Sequence, residues 1–455
     1  MIPHLLRIQQ VGSKSTLVIH PGLPTAMFFL ARRASLLFLP LSTAGLLSAC
    51  SSVDADRGTL VRDSAGVTIA DNAAAAWESE GWTLATEPSV SIGTLAGDSG
   101  QDLHEPRYAL RLGDGTIVVG DQGRVQLRYY DATGRHLTDA GGPGGGPGEF
   151  GRITSVFRMD ADSVAVFDEA LNRITIFNAD GEAVRAISLP EYDRSFRPQI
   201  EARLTDGSYV AYVAIRSSVD DLPDGLSRDS AMLVRLDADG ALLDTLVTFA
   251  NGVRDVAMRS VGGSRFRTAA PVVFSPRTTW TVDGNHAYLA NSASYEVRVV
   301  AAAGDLTRII RRSHRPVVPT EADRRRFLEQ LQAAFADRLA NERMAVEVNY
   351  MFETIENSPL PESFPAFDPD VRDDRGRRVG KPVIVDAPGN LWVLEYRRPG
   401  ELHLDWSVFD PNGRYLGIVS VPEGFYITDI GPDYVLGWTL DHLDFAKVEL
   451  HALAR

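Results

Sequence analysis

Asp114-Gly115-Thr116-Ile117-Val118-Val119-Gly120-Asp121 is a turn dipeptide followed by a short apolar β-run, and it decides the fold because the chain repeats it. The unit returns from Asp160 to Asp168, Asp206 to Val213, Asp283 to Ala290, Pro388 to Glu395 and Gly431 to Trp438. A second strand closed by another turn follows most of them, ending at Asp131-Ala132-Thr133-Gly134, Asn178-Ala179-Asp180-Gly181, Asp237-Ala238-Asp239-Gly240, Gly304 and Asp410-Pro411-Asn412-Gly413. Third strands then lead away, as at 183–189 and 415–421. Alternating β-branched and aromatic residues between Gly, Asp and Asn turns are the mark of hairpins.

The step from Asp131 to Asn178 is 47 residues, the length of a four-stranded propeller blade of roughly 40–50. Six inner-strand motifs predict six blades in an all-β domain over 85–455. Later steps are longer, so insertions are expected between blades. A lone hairpin cannot bury its apolar face, so stacked blades must share the core. Ring closure would remove the exposed edges, and Ser89-Val90-Ser91-Ile92-Gly93 is the expected closing strand of the last blade.

One segment breaks the pattern. Thr320-Glu321-Ala322-Asp323 reads as a helix N-cap with acidic first-turn residues, and Phe327, Leu328, Leu331, Phe335 and Leu339 recur at helical spacing. A helical insertion is expected over 320–357, between the fourth and fifth motifs. It is either a packing element on one face of the ring or a lid over the centre.

The 455 residues carry 46 Lys+Arg, 60 Asp+Glu and one cysteine. An acidic chain argues against a nucleic-acid partner. A single cysteine excludes an internal disulfide and a CxxC metal site. Residues 1–49 read as a signal region, with Met27 as the expected real start. Arg32-Arg33, an apolar run from Leu36 and small residues lead to Leu47-Ser48-Ala49-Cys50. That run is too short to span a membrane. Leu-Ser-Ala-Cys is similar to the bacterial lipobox, which implies cleavage before Cys50 and lipid on its sulfur. Ser51 and Ser52, in place of a retention aspartate, then imply the outer membrane. Losing Arg7, Lys14, Arg32 and Arg33 leaves 42 basic and 60 acidic residues, a net −18. The anchor would therefore be lipid and not surface charge. Residues 50–84 read as tether and lead-in.

The repeats resemble the six-bladed, NHL-like and TolB-like β-propellers of bacterial envelope proteins. The resemblance rests on Ile117–Asp121 with Val125–Asp131, on Gly144-Gly145-Gly146-Pro147-Gly148-Glu149-Phe150, and on Phe364–Phe367 leading to Val385–Val393. It covers about 85–453. It implies a fold shared by binding proteins, lactonases and lyases alike.

Gly141–Gly148 lacks the Lys-Ser/Thr of a phosphate loop and reads as a turn between blades. Glu149 and Arg152 flank it and could face a central pocket or pair with each other. Outside the signal region lie seven histidines, His104, His136, His286, His314, His403, His442 and His451, with no HxH or HExxH pairing. His104 and His286 stand near strand ends in different blades. Glu105, Asp168, Asn291 and Glu395 are candidate oxygen ligands for calcium. No cofactor is called for, although Ca or Zn would fit such donors. Arg107, Arg124, Arg173 and Arg397 either gather at one mouth or bridge neighbouring strands. Trp392 and Tyr396 either line the pocket or belong to the core. There is no GxSxG. Asp220-Asp221 and Asp373-Asp374 sit in charged loops.

The expected protein is a lipid-anchored envelope propeller facing the periplasm, binding or scaffolding a protein, peptide or glycan. The alternative is a metal-dependent lactonase or lyase-like enzyme with its site on the axis. The candidate pocket set is His104, Glu105, Arg107, Glu149, Arg152, Asp168, His286, Asn291, Trp392 and Glu395.

Overall fold

The computed structural model describes residues 58–77, 81–93, 100–160, 162–192, 196–215, 217–261, 264–339, 342–372, 378–401, 403–440 and 445–455. The signal region with Met27, Cys50, His442 and the Asp373-Asp374 pair lie outside these residues.

Among the described residues the strands form six sheets of four to six strands and one two-stranded ribbon, Val371–Arg372 with Arg378–Gly380. Sheet 1 is Pro106–Arg111, Ile117–Asp121, Gln126–Tyr130 and His136–Gly141. Sheet 2 is Ile153–Asp160, Ser163–Asp168, Arg173–Asn178 and Ala183–Ser188. Both are antiparallel meanders, and sheets 3 to 6 begin in the same way, at Gln199–Arg203, Thr278–Asp283, Val383–Val385 and Tyr426–Ile430.

Asp and Gly build the turns as the repeat requires. Asp131 Oδ1 accepts from the Thr133 and Arg135 N–H groups at 2.9 and 3.0 Å, and Gly134 takes φ +84°. Asn178 with Gly181, Asp237 with Gly240 and Asp410 with Gly413 repeat this geometry. A carboxylate or amide oxygen satisfies two backbone donors, and glycine takes the left-handed position at no steric cost.

The second strand of sheet 1, Ile117–Asp121, is buried at every position, and that of sheet 2 is buried from Val164 to Asp168. Burial on both faces means that each sheet packs between two others. The first strands of sheets 1, 2, 3, 4 and 5 contact one another in succession, and that of sheet 6 contacts that of sheet 1. Ala387 N–H donates to Ile430 O (3.0 Å) across the step from sheet 5 to sheet 6. The arrangement is propeller-like.

One part of the motif reading is corrected here. The six repeated motifs are the second strands, not the innermost ones. The strands that face one another across the centre precede them. Several of them alternate charged or polar residues with apolar ones, as in Gln199-Ile200-Glu201-Ala202-Arg203, because one face looks into a polar space.

The expected closing strand is present. Val90–Ile92 pairs antiparallel with Ala446–Ala454, matching Val90 with Leu450 and Ile92 with Val448. Ile92 is fully buried in the largest core cluster. The segment read as a tether contributes more than a tether. Thr59–Ser64 and Val67–Asn72 form a hairpin whose second strand lies parallel to Leu306–Arg312 at the outer edge of sheet 4. Asn72 locks it in place. Its Oδ1 accepts from Tyr415 N–H (2.8 Å), and its Nδ2 donates to Gly413 O (3.0 Å) in sheet 5.

Sheet 3 also differs from expectation. Some of the extra chain length lies within the sheet, in the twenty-residue strand Leu242–Val261 paired with Gly225–Leu236 and Ser264–Pro271.

Helices run over Glu321–Ala334, Ala336–Leu339 and Glu342–Asn357. Thr320 and Asp323 form a full capping box, with Thr320 N–H donating to Asp323 Oδ2 (2.9 Å) and Asp323 N–H to Thr320 Oγ1 (3.3 Å). Leu328, Val348, Phe352 and Ile355 make a separate small core with Phe327, Leu331 and Val273 packed on it.

Ile92→Ala deletes buried methyl groups from the closing strand and is expected to cost about 3 kcal/mol. Urea denaturation checks this. A loss within about 0.5 kcal/mol would mean that the strand does not close the last sheet.

Candidate functional site

The inward faces of the first strands enclose a cavity of about 700 Å³ with residues from all six sheets in its wall. Its wall is mixed, with Tyr108, Val156, Ile200, Ile384 and Ile427 beside Thr154, Ser155, Thr281 and Thr428. Arg107, Arg152, Arg158, Arg203 and Lys381 bring positive charge to the wall. Asp160, Glu169, Glu201, Asp283 and Asp429 bring negative charge.

These charges are largely paired. Arg152 stands 3.6 Å from Glu169, and Arg107 stands 3.6 Å from Glu105. Two pairs bridge sheets that are not neighbours. Arg158 of sheet 2 meets Asp429 of sheet 6 at 3.0 Å, passing sheet 1, and the same nitrogen donates to Arg111 O (2.6 Å). Lys381, at the approach to sheet 5, meets Glu201 of sheet 3 at 3.1 Å, passing sheet 4. Asp429 also accepts from Arg111 N–H (3.0 Å) and Tyr434 Oη (2.9 Å), so three donors hold its carboxylate. Tyr108 Oη donates to Thr154 O (2.6 Å). Burial, with Glu201 next in effect, pushes the Tyr108 phenol up to about 12, so it remains a donor at neutral pH.

Of the sequence candidates, Arg107 and Arg152 line this cavity. The others have different tasks. Asp168 is fully buried and accepts from Gly151, Arg152 and Leu171 N–H groups at 2.6, 3.1 and 3.0 Å. Asp121 does the same for the His104, Glu105 and Arg124 N–H groups. These carboxylates fix the chain where it enters the first strand. The His104 ring is half exposed, 3.6 Å from Asp102. Glu149 folds back to accept from Gly146 N–H (2.7 Å), while Arg173 donates to Gly146 O (3.1 Å) and to Glu149 O, so the glycine loop is stapled by its own neighbours. Asn291 accepts from Ala293 N–H (2.9 Å), and His286 is exposed at a hairpin end. Trp392 is core, its Nε1 donating to Asp386 Oδ2 (3.0 Å).

Glu395 lies between sheets 4 and 5. Arg312 holds it through two 2.7 Å bonds, and Tyr295 and Ser407 donate to it at 2.9 and 2.7 Å. The guanidinium also lies 4.2 Å from the Tyr295 ring centre. Burial opposes the Arg312 charge, yet Tyr295 and Glu395 hold its pKa above the ordinary value. This is an inter-sheet clamp.

Of the two readings of the arginines, ion pairing holds for Arg124 with Asp102 and for Arg397 with Asp368. Among the described residues no group of three or more His, Cys, Asp or Glu side chains is placed to hold a metal ion. No described helix is long and apolar enough to cross a membrane.

No family model matches this chain, and no curated protein matches its sequence. Solved structures do resemble it. A Bacteroides fragilis protein described as exported is 14% identical over 82% of this chain and 95% of its own, with a TM-score of 0.44. A DUF4221-family member from Bacteroides vulgatus is 8% identical over 82% and 99%, at 0.43. Virginiamycin B lyase from Staphylococcus aureus is 10% identical over 82% and 100%, at 0.37.

Sequence reasoning missed Arg158, Glu201, Lys381 and Asp429. The available signal was polar alternation in the strand before each motif.

An Arg158→Met and Asp429→Asn double-mutant cycle is expected to give a coupling of about 1 kcal/mol in urea denaturation, smaller in 1 M salt. A coupling of zero would show that this pair does not brace the ring.

Proposed function

We propose that this chain is a six-bladed β-propeller of the NHL-like and TolB-like type that works as a binding module through the mouth of its axial cavity. It is exported, cleaved before Cys50 and held by lipid to the bacterial outer membrane, facing the periplasm. The observation that carries the binding reading is the cavity itself, a concave space walled by every sheet into which several polar groups converge. Its wall is rigid, because fully buried second strands back the first strands in sheets 1 and 2. Rigid strands carrying exposed connections suit presentation to a partner.

The 320–357 insertion serves as a packing element in this reading. In support, none of its described residues lines the cavity. Instead its Phe327 packs on Phe274, which in turn packs on Phe364, and Arg398 donates to Asp323 at 3.1 Å. The metal-dependent enzyme has less support. Three or more of His104, Glu105, Asp168, His286, Asn291 and Glu395 would have to meet at one point, and Asp168 and Glu395 are committed to backbone caps and an arginine clamp.

Two measurements test these parts separately. Cys50→Ser is expected to move the protein from the membrane fraction to the soluble fraction. Retention in the membrane would remove the lipid anchor from the account. A photo-cross-linking side chain at Arg152, on the cavity mouth, is expected to give a discrete adduct in cells, while one at Val184 on the outer rim gives none. The opposite pattern would move the binding surface to the rim.

A further inference from the structure

Resting on the binding reading of the axial cavity, the geometry points to its ligand class, a small zwitterion of peptide type carrying a free ammonium and a free carboxylate. The chain offers the ligand two salt bridges that can be opened. Lys381 Nζ and Glu201 lie 3.1 Å apart across the ring, and the Lys381 side chain is 51% exposed against 18% for Glu201. Arg152 and Glu169 lie 3.6 Å apart at the neighbouring mouth position, with 62% and 38% exposure. In each pair the cation is the more solvated partner on a long side chain. It can swing away without losing its water, whereas the Glu201 carboxylate cannot.

The choice of ligand follows from what each charge type would leave behind. A simple anion that captured Lys381 would strand Glu201, mostly buried and in an ion pair with no other cation among the described residues. A simple cation that captured Glu201 would leave Lys381 half buried against an apolar and hydroxyl wall. Either outcome exchanges one ion pair for another and adds an unpaired group. A ligand with both charges replaces both partners and leaves neither alone. Discrimination by an unmatched charge is then built into the site. On the same wall Ser155 carries a hydroxyl suited to an amide group, and the volume of about 700 Å³ falls among sites that enclose a small ligand.

The test uses the full chain in detergent and trialanine as the probe, with free termini, N-acetylated, C-amidated and doubly blocked, measured by titration calorimetry. The free peptide is expected to bind, and blocking either end is expected to weaken binding about tenfold or more. Lys381→Met is expected to abolish the penalty for amidation and keep that for acetylation. Glu201→Gln is expected to do the reverse. Ala202→Trp, which fills the cavity without changing charge, is expected to abolish binding. Thermal melting of each variant confirms that it is folded. Equal binding of free and blocked peptides, no binding at millimolar concentration, or penalties that the two variants leave unchanged would each overturn the zwitterion assignment. The cross-linker at Arg152 leaves the Lys381–Glu201 pair in place and reports an adduct whatever the charge of the ligand, so failure of the ligand class and failure of the binding reading give different results.

Discussion

A four-stranded sheet with two apolar faces is stable only if something covers both, and this constraint organises the molecule. Sheets 1 and 2 bury their second strands almost without exception. No loop could supply that much apolar cover, so each sheet must serve as cover for the next. Such a stack has two unsatisfied ends unless it curves back on itself. The chain joins the ends by placing Val90–Ile92 in the last sheet and continuing directly into the first. Closure of this kind ties residues near position 90 to residues near 450, so the ends of the domain stabilise each other.

Curvature brings a second consequence. The first strands crowd toward the centre with one face in the shared core and the other in a space too narrow to fill with aliphatic packing. The sequence meets this with polar alternation, and the resulting charges pair across the ring where neighbours on the same sheet are absent. Arg158 with Asp429 and Lys381 with Glu201 are therefore structural braces and, by their position, the groups that any ligand in the cavity must confront. Binding and bracing draw on the same side chains.

The turns, the hairpin pairs, the closing strand and the Thr320 cap were legible because each depends on local chemistry. An aspartate two residues before the backbone N–H that donates to it and a glycine at positive φ are visible in a short window. The site was mostly illegible because it depends on which strand faces the axis. The apolar repeats drew notice and were assigned to the centre, yet apolar residues on both faces mean a position between sheets. Asp168 was a sound choice for a buried carboxylate, but its partners are backbone N–H groups. Glu395 was read as an axial ligand, and its partner Arg312, 83 residues earlier, could be found only from the packing of sheets 4 and 5. The hairpin at 59–72 was missed for a similar reason. Its short polar strands become regular only against Leu306–Arg312.

The central claim is that the first strands of the sheets gather around one axis, so that Lys381 at the approach to sheet 5 reaches Glu201 of sheet 3 past sheet 4. Zero-length carbodiimide coupling of the full chain, followed by peptide mass spectrometry, tests it directly. The account predicts an isopeptide bond between Lys381 and Glu201, 180 residues apart and 3.1 Å from atom to atom, and its loss in Lys381→Arg. Efficient coupling at other lysines with none between these two residues would contradict the ring.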